Sequence, residues 1–457
     1  MKKDEGYNKL RGGYYTPPEI AKYISNWAVR AKSDIVLEPS CGDGVFLKAV
    51  TERKKELGAK TEERHNDVIG IELDSTEAQK AAVFQTQIYN SDFFGFYENS
   101  IEGKMQFDAI VGNPPFIRYQ NFDEKCRGIA FSLMEKKGFH PNRLTNIWLP
   151  FLVLSCFALK DDGRLGMVIP AELFQVDYAA ETRKFLSNYF EALTLITFKK
   201  LLFDDIQQEV VLLLGERKSE KKGIQVIELD GIGDLYSASS IIDTRSEIKN
   251  LQHDSEKWVK YYLSSEELQL LELLSHDVRI SNANDLYEVN VGLVSGENSF
   301  FLIDKKTVEA YKLNDFVLPI IGKSEQVSGI RLRNEDYTKL AENGKKVYLF
   351  VPRSKPIGDL PIEAQNYIKY GEAKKYNENY KCRIRQLWYI VPESWKADAF
   401  LIRQANLYPK MILNDKKALV TDTLHKVRFH EGINGTAVAA AFINSYTLAL
   451  SETLGRS

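Results

Sequence analysis

Through the first half of the chain, short apolar runs rich in β-branched residues alternate with amphipathic stretches. Ile35-Val36-Leu37, Val68-Ile69-Gly70-Ile71, Ala109-Ile110-Val111 and Met167-Val168-Ile169 are continuous rather than alternating, as strands covered on both faces of a parallel sheet are. A further strand-like run opens at Ile88, and strands are also expected over 192–198 and 209–214. Between these lie helical signals. Ile20, Tyr23, Ile24 and Trp27 mark one face of a helix that Thr16 should cap, with Pro17 at its first position. A buried helix is expected over 147–159, a turn and strand over 163–170, and a helix near 178–190. Regular alternation of strand and helix predicts an α/β, doubly wound sheet.

The pattern changes near residue 235. Helical periodicity follows over 264–275, strands around glycine-rich turns over 287–303, and an apolar helix over 437–454. A chain of 457 residues is too long for one ordinary domain. We therefore expect a first domain over 1–235, a second over 236–430, and a C-terminal helix over 431–457 that ends early, as in a shortened chain.

Composition narrows the class. With 44% hydrophobic and 27% charged residues the chain reads as an ordinary globular protein. Cys41, Cys126, Cys156 and Cys382 form no CxxC pair, which argues for a reducing compartment and against structural zinc. The N-terminus has no apolar signal region, and the longest apolar run, Ile147 to Leu159, contains Pro150 and is too short to span a bilayer. A cytoplasmic protein without membrane association is expected. The net charge of −2 hides an asymmetry, because residues 341–430 carry 17 Lys and Arg against 9 Asp and Glu. Phosphates respond to that local field rather than to the total.

The chemistry collects at the ends of the expected strands, the edge where open α/β sheets bind ligands. The first strand runs into Glu38-Pro39-Ser40-Cys41-Gly42-Asp43-Gly44, where glycines admit a ligand close to the backbone and Glu38 suits an amino-bearing ligand better than a pyrophosphate. Leu47 stands where a dinucleotide fingerprint would have its third glycine. The second strand ends in Glu72, 28 residues after Gly44, where an acid can grip a ribose diol. Asp92 then precedes Phe93 and Phe94, an acceptor for an adenine amino group beside a ring that could cover it. The fourth strand breaks into Asn113-Pro114-Pro115-Phe116. An exocyclic amino group on a nucleobase is a poor nucleophile, and two acceptors on its N–H bonds draw the nitrogen towards tetrahedral geometry. The Asn113 side-chain oxygen and the Pro114 carbonyl are such a pair, and Phe116 offers a face for stacking. Singly, each of these is also what a surface acid, a core aromatic or a proline-rich turn would look like.

In this order, Tyr15-Thr16-Pro17-Pro18, the Glu38 to Gly44 turn, Ile71-Glu72-Leu73-Asp74, Ser91-Asp92-Phe93-Phe94 and Asn113-Pro114-Pro115-Phe116 resemble the motifs of gamma-class, TaqI-like N6-adenine DNA methyltransferases, over roughly residues 11–235. The resemblance implies a Rossmann-like class I methyltransferase sheet followed by a C-terminal mixed α+β target-recognition domain. It also implies S-adenosylmethionine as cofactor, with no metal. Tyr15 would then bind the cofactor, Thr16 with Ser40 and Gly42 of the Gly-rich turn would lie by its methionine part, Glu38 by its amino group, Glu72 on its ribose, and Asp92 with Phe93 on its adenine. Asn113, Pro114, Pro115 and Phe116 would be catalytic, Phe116 standing where many relatives have Tyr. Phe203 falls where the family carries an aromatic against the extruded base, and serves equally well as a packing residue.

The expected partner is double-stranded DNA, flipped at the target adenine. In the basic segment Lys381, Arg383 and Arg385, interleaved with aromatics, suit phosphate clamping. Any restriction enzyme would be a separate protein. A planar amide poses the same chemical problem as the adenine amino group, so methylation of a protein glutamine competes, as do RNA adenine, cytosine N4 and a non-catalytic subunit keeping the fold. The large basic second half and the intact Asn113, Glu72 and Asp92 favour DNA and catalysis. Glu372-Ala373-Lys374 mimics a nuclease motif but lacks a partner acid.

Overall fold

The computed structural model describes residues 15–200, 209–235, 247–404 and 408–455. The chain divides into two compact units, the first running to Leu270.

The first unit is built on one eight-stranded sheet. Its strands are β1 (Val36–Glu38), β2 (Val68–Glu72), β3 (Gln87–Asn90), β4 (Phe107–Gly112), β5 (Leu159–Pro170), β6 (Ala192–Phe198), β7 (Val210–Glu216) and β8 (Gly223–Leu229), in the order β3-β2-β1-β4-β5-β7-β6-β8. Strands β3 to β5 pair in parallel, whereas β7 is antiparallel to both β5 and β6. Strand order reverses between β1 and β4, and at such a switch point the loops leaving the strands diverge and open a crevice.

Both faces of the sheet are covered, which is why the strand sequences are continuously apolar. Leu37, Ile69, Ile71, Ile110, Leu165 and Met167 belong to one buried cluster. Val36, Val68, Ala109, Val111 and Val168 face the other way into a second. On the second face lie α1 (Pro18–Ala28) and α2 (Val45–Glu56). Helix α1 crosses β5 closely, because a Cβ at Gly166 would sit 2.5 Å from Ile24 Cγ2. On the first face every residue from Trp148 to Cys156 of α3 (Trp148–Phe157) is buried, so this helix has no polar stripe.

The first unit packs beyond the boundary expected at 235. Trp258 and Tyr261 belong to its core, and Lys249 bridges Ile224 on β8. The fully buried Arg183, on α4 (Ala180–Tyr189), ties this segment down. Its Nε donates to Glu256 O (2.8 Å), Nη2 to Ser255 O (3.0 Å), and Nη1 to Leu173 O (3.1 Å) and Val176 O (2.9 Å). Burial holds its pKa down at about 10. Removing the guanidinium strands four carbonyls, so Arg183→Met is expected to lower stability by about 2–4 kcal/mol in urea denaturation. The last described residues also count with this unit: Lys257 Nζ donates to Leu454 O (2.5 Å) and Gly455 O (3.1 Å).

The second unit is mixed α+β. It holds a four-stranded sheet, 302–303, 348–350, 317–321 and 419–420 in spatial order, and a five-stranded one of 331–332, 411–414, 399–402, 424–429 and 287–291. One core gathers Phe300, Phe350, Tyr367 and Tyr389. The single helix expected over 437–454 is two, Gly435–Ala441 and Ser445–Leu454. Asn444 makes the break, its Oδ1 accepting from Thr447 N (2.9 Å) as the start of the second. No described helix is long and apolar enough to cross a membrane.

Candidate active site

Three loops leave the strand ends flanking the switch point. After β1 the chain turns through Gly42 (φ 52°) and Gly44 (φ 90°), left-handed conformations that favour glycine. At Gly44 a side chain would also strike the Phe84 ring at 2.8 Å. The turn is pinned from β2: Cys41 N donates to Ile71 O (2.9 Å) and Gly42 N to Glu72 Oε2 (2.9 Å). The other Glu72 oxygen accepts from Asp74 N (2.8 Å). Glu72 therefore shapes the turn, a role its position at a strand end does not reveal.

Asp92 caps the short helix Phe93–Phe96, Oδ2 accepting from Gly95 N (2.7 Å). Phe93 lines the cleft. It is buried with one face stacked on Phe151, centroids 4.9 Å apart and planes at 14°, and forms the inner wall of the site. The wall continues through Ile117, Phe122 and Cys126 around a cleft of about 330 Å³ that also touches Tyr15, Ser40, Gly42, Glu72, Asp92, Asn113 and Pro115. Burial, with Asp92 and Asp123 nearby, pushes the Cys126 thiol up to about 12. Neither Cys126 nor Phe151 carried a sequence signal, since a lone thiol and one aromatic in an all-apolar helix look like packing.

Thr16 is the clearest correction. Helix α1 starts at Pro18 without a side-chain cap, and the buried Thr16 instead receives Asn113 Nδ2 on its Oγ1 (3.1 Å). Ser40 Oγ donates to the Asn113 carbonyl (3.3 Å). Asn113 is thus braced from the segment before α1 and from the Gly-rich turn. Pro114 is buried, while Phe116 is half-buried and packs against both core clusters. Tyr15 lies exposed at the cleft, its hydroxyl donating to Glu77 Oε1 (3.3 Å).

Glu38 is only 2% exposed, and its Oε2 has no partner among the described residues. Burial, then the charges of Glu72 and Asp43, hold its carboxyl well above the usual range. A buried acid with a backbone hydrogen bond from Leu47 but one oxygen unpartnered, beside the cleft-lining Pro39 and Ser40, suits a ligand bringing an ammonium group, and the acceptors Glu72 and Asp92 suit a nucleoside. The residues present therefore fit S-adenosylmethionine.

The expected DNA-contacting residues separate. Lys381 and Arg383 are exposed on the short helix Tyr380–Arg383. Arg385 is not available in the same way: it is half-buried, Nη2 donating to Val294 O (3.2 Å), with its guanidinium 5.7 Å from the Phe301 ring centre. Phe203 lies outside the described residues. The Glu372 carboxylate accepts from Trp388 Nε1 (3.2 Å), and no metal-holding group of acids, His or Cys occurs among the described residues.

Strand order, switch-point cleft and Asn-Pro-Pro-Phe at the end of β4 define a class I methyltransferase fold of the gamma type. Residues 28–203 match the Eco57I restriction-modification methylase family, and residues 255–457 match the C-terminal domain of type II methyltransferase M.Eco57I. The two matches lie side by side along the chain, which is similar over both to Eco57I-type DNA methyltransferases. It is 23% identical over 397 residues to type II methyltransferase M.AccI of Acinetobacter calcoaceticus, covering 84% of this chain and 69% of that one. To M.HindII of Haemophilus influenzae it is 25% identical, covering 68% of this chain but 57% of the relative. Among solved structures, the fold resembles a nuclease-deletion mutant of the type ISP enzyme LlaGI (TM-score 0.55, 12% identity, 92% of this chain and 42% of that one). It also resembles the DrdV–DNA complex (TM-score 0.52, 11% identity, 95% and 52%).

Proposed function

We propose that this protein methylates N6 of adenine in duplex DNA, using S-adenosylmethionine, as the modification activity of a restriction-modification system. The observation that carries the reading is Asn113, braced by Thr16 and Ser40 at the edge of a cleft containing Glu72 and Asp92. The cofactor, when bound, supplies a methyl group on a good leaving group, so the chain's task is positioning and polarisation. Glu38 pairs with the ammonium group, Glu72 and Asp92 orient the nucleoside, and Phe93 closes the wall behind it. The target adenine leaves the stack. Asn113 Oδ1 and the Pro114 carbonyl then accept its two N–H bonds, freeing the lone pair to form the N–C bond as the S–C bond breaks. The nitrogen afterwards loses a proton to solvent.

Transfer of labelled methyl to mixed-sequence duplex DNA, followed by nucleoside analysis, tests the reading. N6-methyladenine is expected; label in protein glutamine, or in N4-methylcytosine, would overturn it. Duplex DNA is the proposed partner. Lys381 and Arg383 are proposed to hold phosphates, so Lys381→Ala with Arg383→Ala should weaken binding and reduce the slope of log K against log salt by about 0.9 for each phosphate no longer neutralised. Binding titrations over a salt series measure this, and an unchanged slope would take both residues out of the interface.

A further inference from the structure

The turn Pro141-Asn142-Arg143-Leu144-Thr145 presents Leu144 at 70% exposure, with the exposed Arg143 beside it. A single exposed leucine ordinarily signifies nothing. This one sits on a turn held from within and at both ends. Inside it, Leu144 N donates to Asn142 Oδ1 (2.8 Å), Asn142 N to Thr145 Oγ1 (3.0 Å), and Thr145 N to Asn142 O (2.9 Å), with Thr145 buried. On one side His140 is clasped by Glu181, through its backbone N–H to Oε2 and its Nδ1 to Oε1, both 2.8 Å. On the other, Asn146 Nδ2 donates to Glu172 Oε2 (3.0 Å) and to Tyr178 Oη (3.1 Å), and Tyr178 itself donates to the same Glu172 oxygen (2.5 Å). The next residue joins the turn to the catalytic segment, because Ile147 N donates to Ile117 O (3.1 Å), one residue past Phe116.

A rigid turn that carries a solvent-exposed apolar tip and a cation, tethered to the Asn-Pro-Pro-Phe segment, has the attributes of a wedge. Extruding a base leaves an unstacked gap in the duplex, and proteins that open base steps fill it with Leu, Ile, Phe or Met. We propose that Leu144 enters the duplex at the position vacated by the target adenine, with Arg143 on the neighbouring phosphate. The inference rests on the base-flipping reading above. Rigidity matters because a side chain already ordered loses little conformational freedom when it inserts. The pins at Glu181 and Glu172 therefore contribute to flipping without touching DNA.

The test compares the wild type with Leu144→Ala on two duplexes, once the methylated position is mapped. One holds the target adenine in a normal pair and the other places it opposite an abasic site, where flipping costs less. On the paired duplex, single-turnover methyl transfer by Leu144→Ala should fall by about ten- to a hundredfold, the worth of burying one leucine side chain. On the abasic duplex the loss should largely vanish, and Leu144→Met should restore most of the rate on both. Thermal midpoint and S-adenosylmethionine affinity should not move, since the side chain is exposed and lies outside the cleft. Equal losses on the two duplexes, or no loss on either, would overturn the wedge. A wild type that makes no N6-methyladenine would instead overturn the reading on which it rests.

Discussion

Asn113→Ala is expected to reduce methyl transfer by at least about 10²–10³-fold, the usual loss when one preorganised polar group is removed from a reacting centre. The side chain is proposed as one of two acceptors that convert a delocalised amino nitrogen into a nucleophile, and alanine leaves only the Pro114 carbonyl. Cofactor binding should survive, because Glu38, Glu72 and Asp92 lie on other loops and the Gly-rich turn is pinned by Glu72 rather than by the Asn113 side chain. Single-turnover rates and calorimetric cofactor titration separate the two quantities. The Asn113 side chain also bonds Thr16. If its contribution were only structural, the variant would lose thermal stability while turnover stayed within tenfold, and the catalytic assignment would be wrong.

Glu38→Gln should produce the second large effect, this time on the cofactor. Burial and the neighbouring acids Glu72 and Asp43 hold the pKa of the Glu38 carboxyl well above its usual range. An arriving ammonium group favours the carboxylate, so binding releases a proton and affinity should rise with pH through the window between the ordinary carboxylate pKa and the raised one. Stability of the empty protein runs the other way. Across that window the folded state keeps a proton that the unfolded state has lost, so the unliganded protein loses stability as pH rises. Glutamine cannot ionise. The variant should bind about ten- to a hundredfold more weakly above the window, the worth of a charged hydrogen bond, with a flat pH profile and no proton release. Calorimetry in buffers of different ionisation enthalpy measures the proton directly. Undiminished proton release in Glu38→Gln would move the titrating group elsewhere, with Asp43, whose carboxyl burial also raises, the first to examine.

Much of the site was legible because its motifs are local. Glu38, Glu72 and Asn113 each stand at or just past the end of a short apolar run, and a strand followed by Gly-rich or Pro-rich residues announces its own C-terminal edge. The strand expected over 192–198 is observed with those bounds, its apolar run ending at Lys199-Lys200. Less was legible where a side chain chooses among partners distant in sequence. Thr16 looked like a cap because Thr before a proline usually is one, yet Asn113, 97 positions on, takes its hydroxyl. Phe151, whose ring stacks on Phe93, looked like one more packing residue of an all-apolar helix. Arg385 sat in a basic run that reads as phosphate-binding, but Val294 O and the Phe301 ring hold it. Charge counting cannot distinguish a solvated cation from one spent within its own domain.

By itself, then, the sequence determined that β1, β2 and β4 are apolar on both faces, where they end, and which acids and amides stand at those ends. These follow from hydrophobic periodicity and turn chemistry acting over a few residues. Only the tertiary structure decided that β7 inserts antiparallel between β5 and β6, that Arg183 holds residues 255–256 against the first unit, and that Thr16 braces Asn113. Each of those is settled by pairing between segments far apart in the chain, where backbone groups and buried side chains must find partners that local sequence does not name.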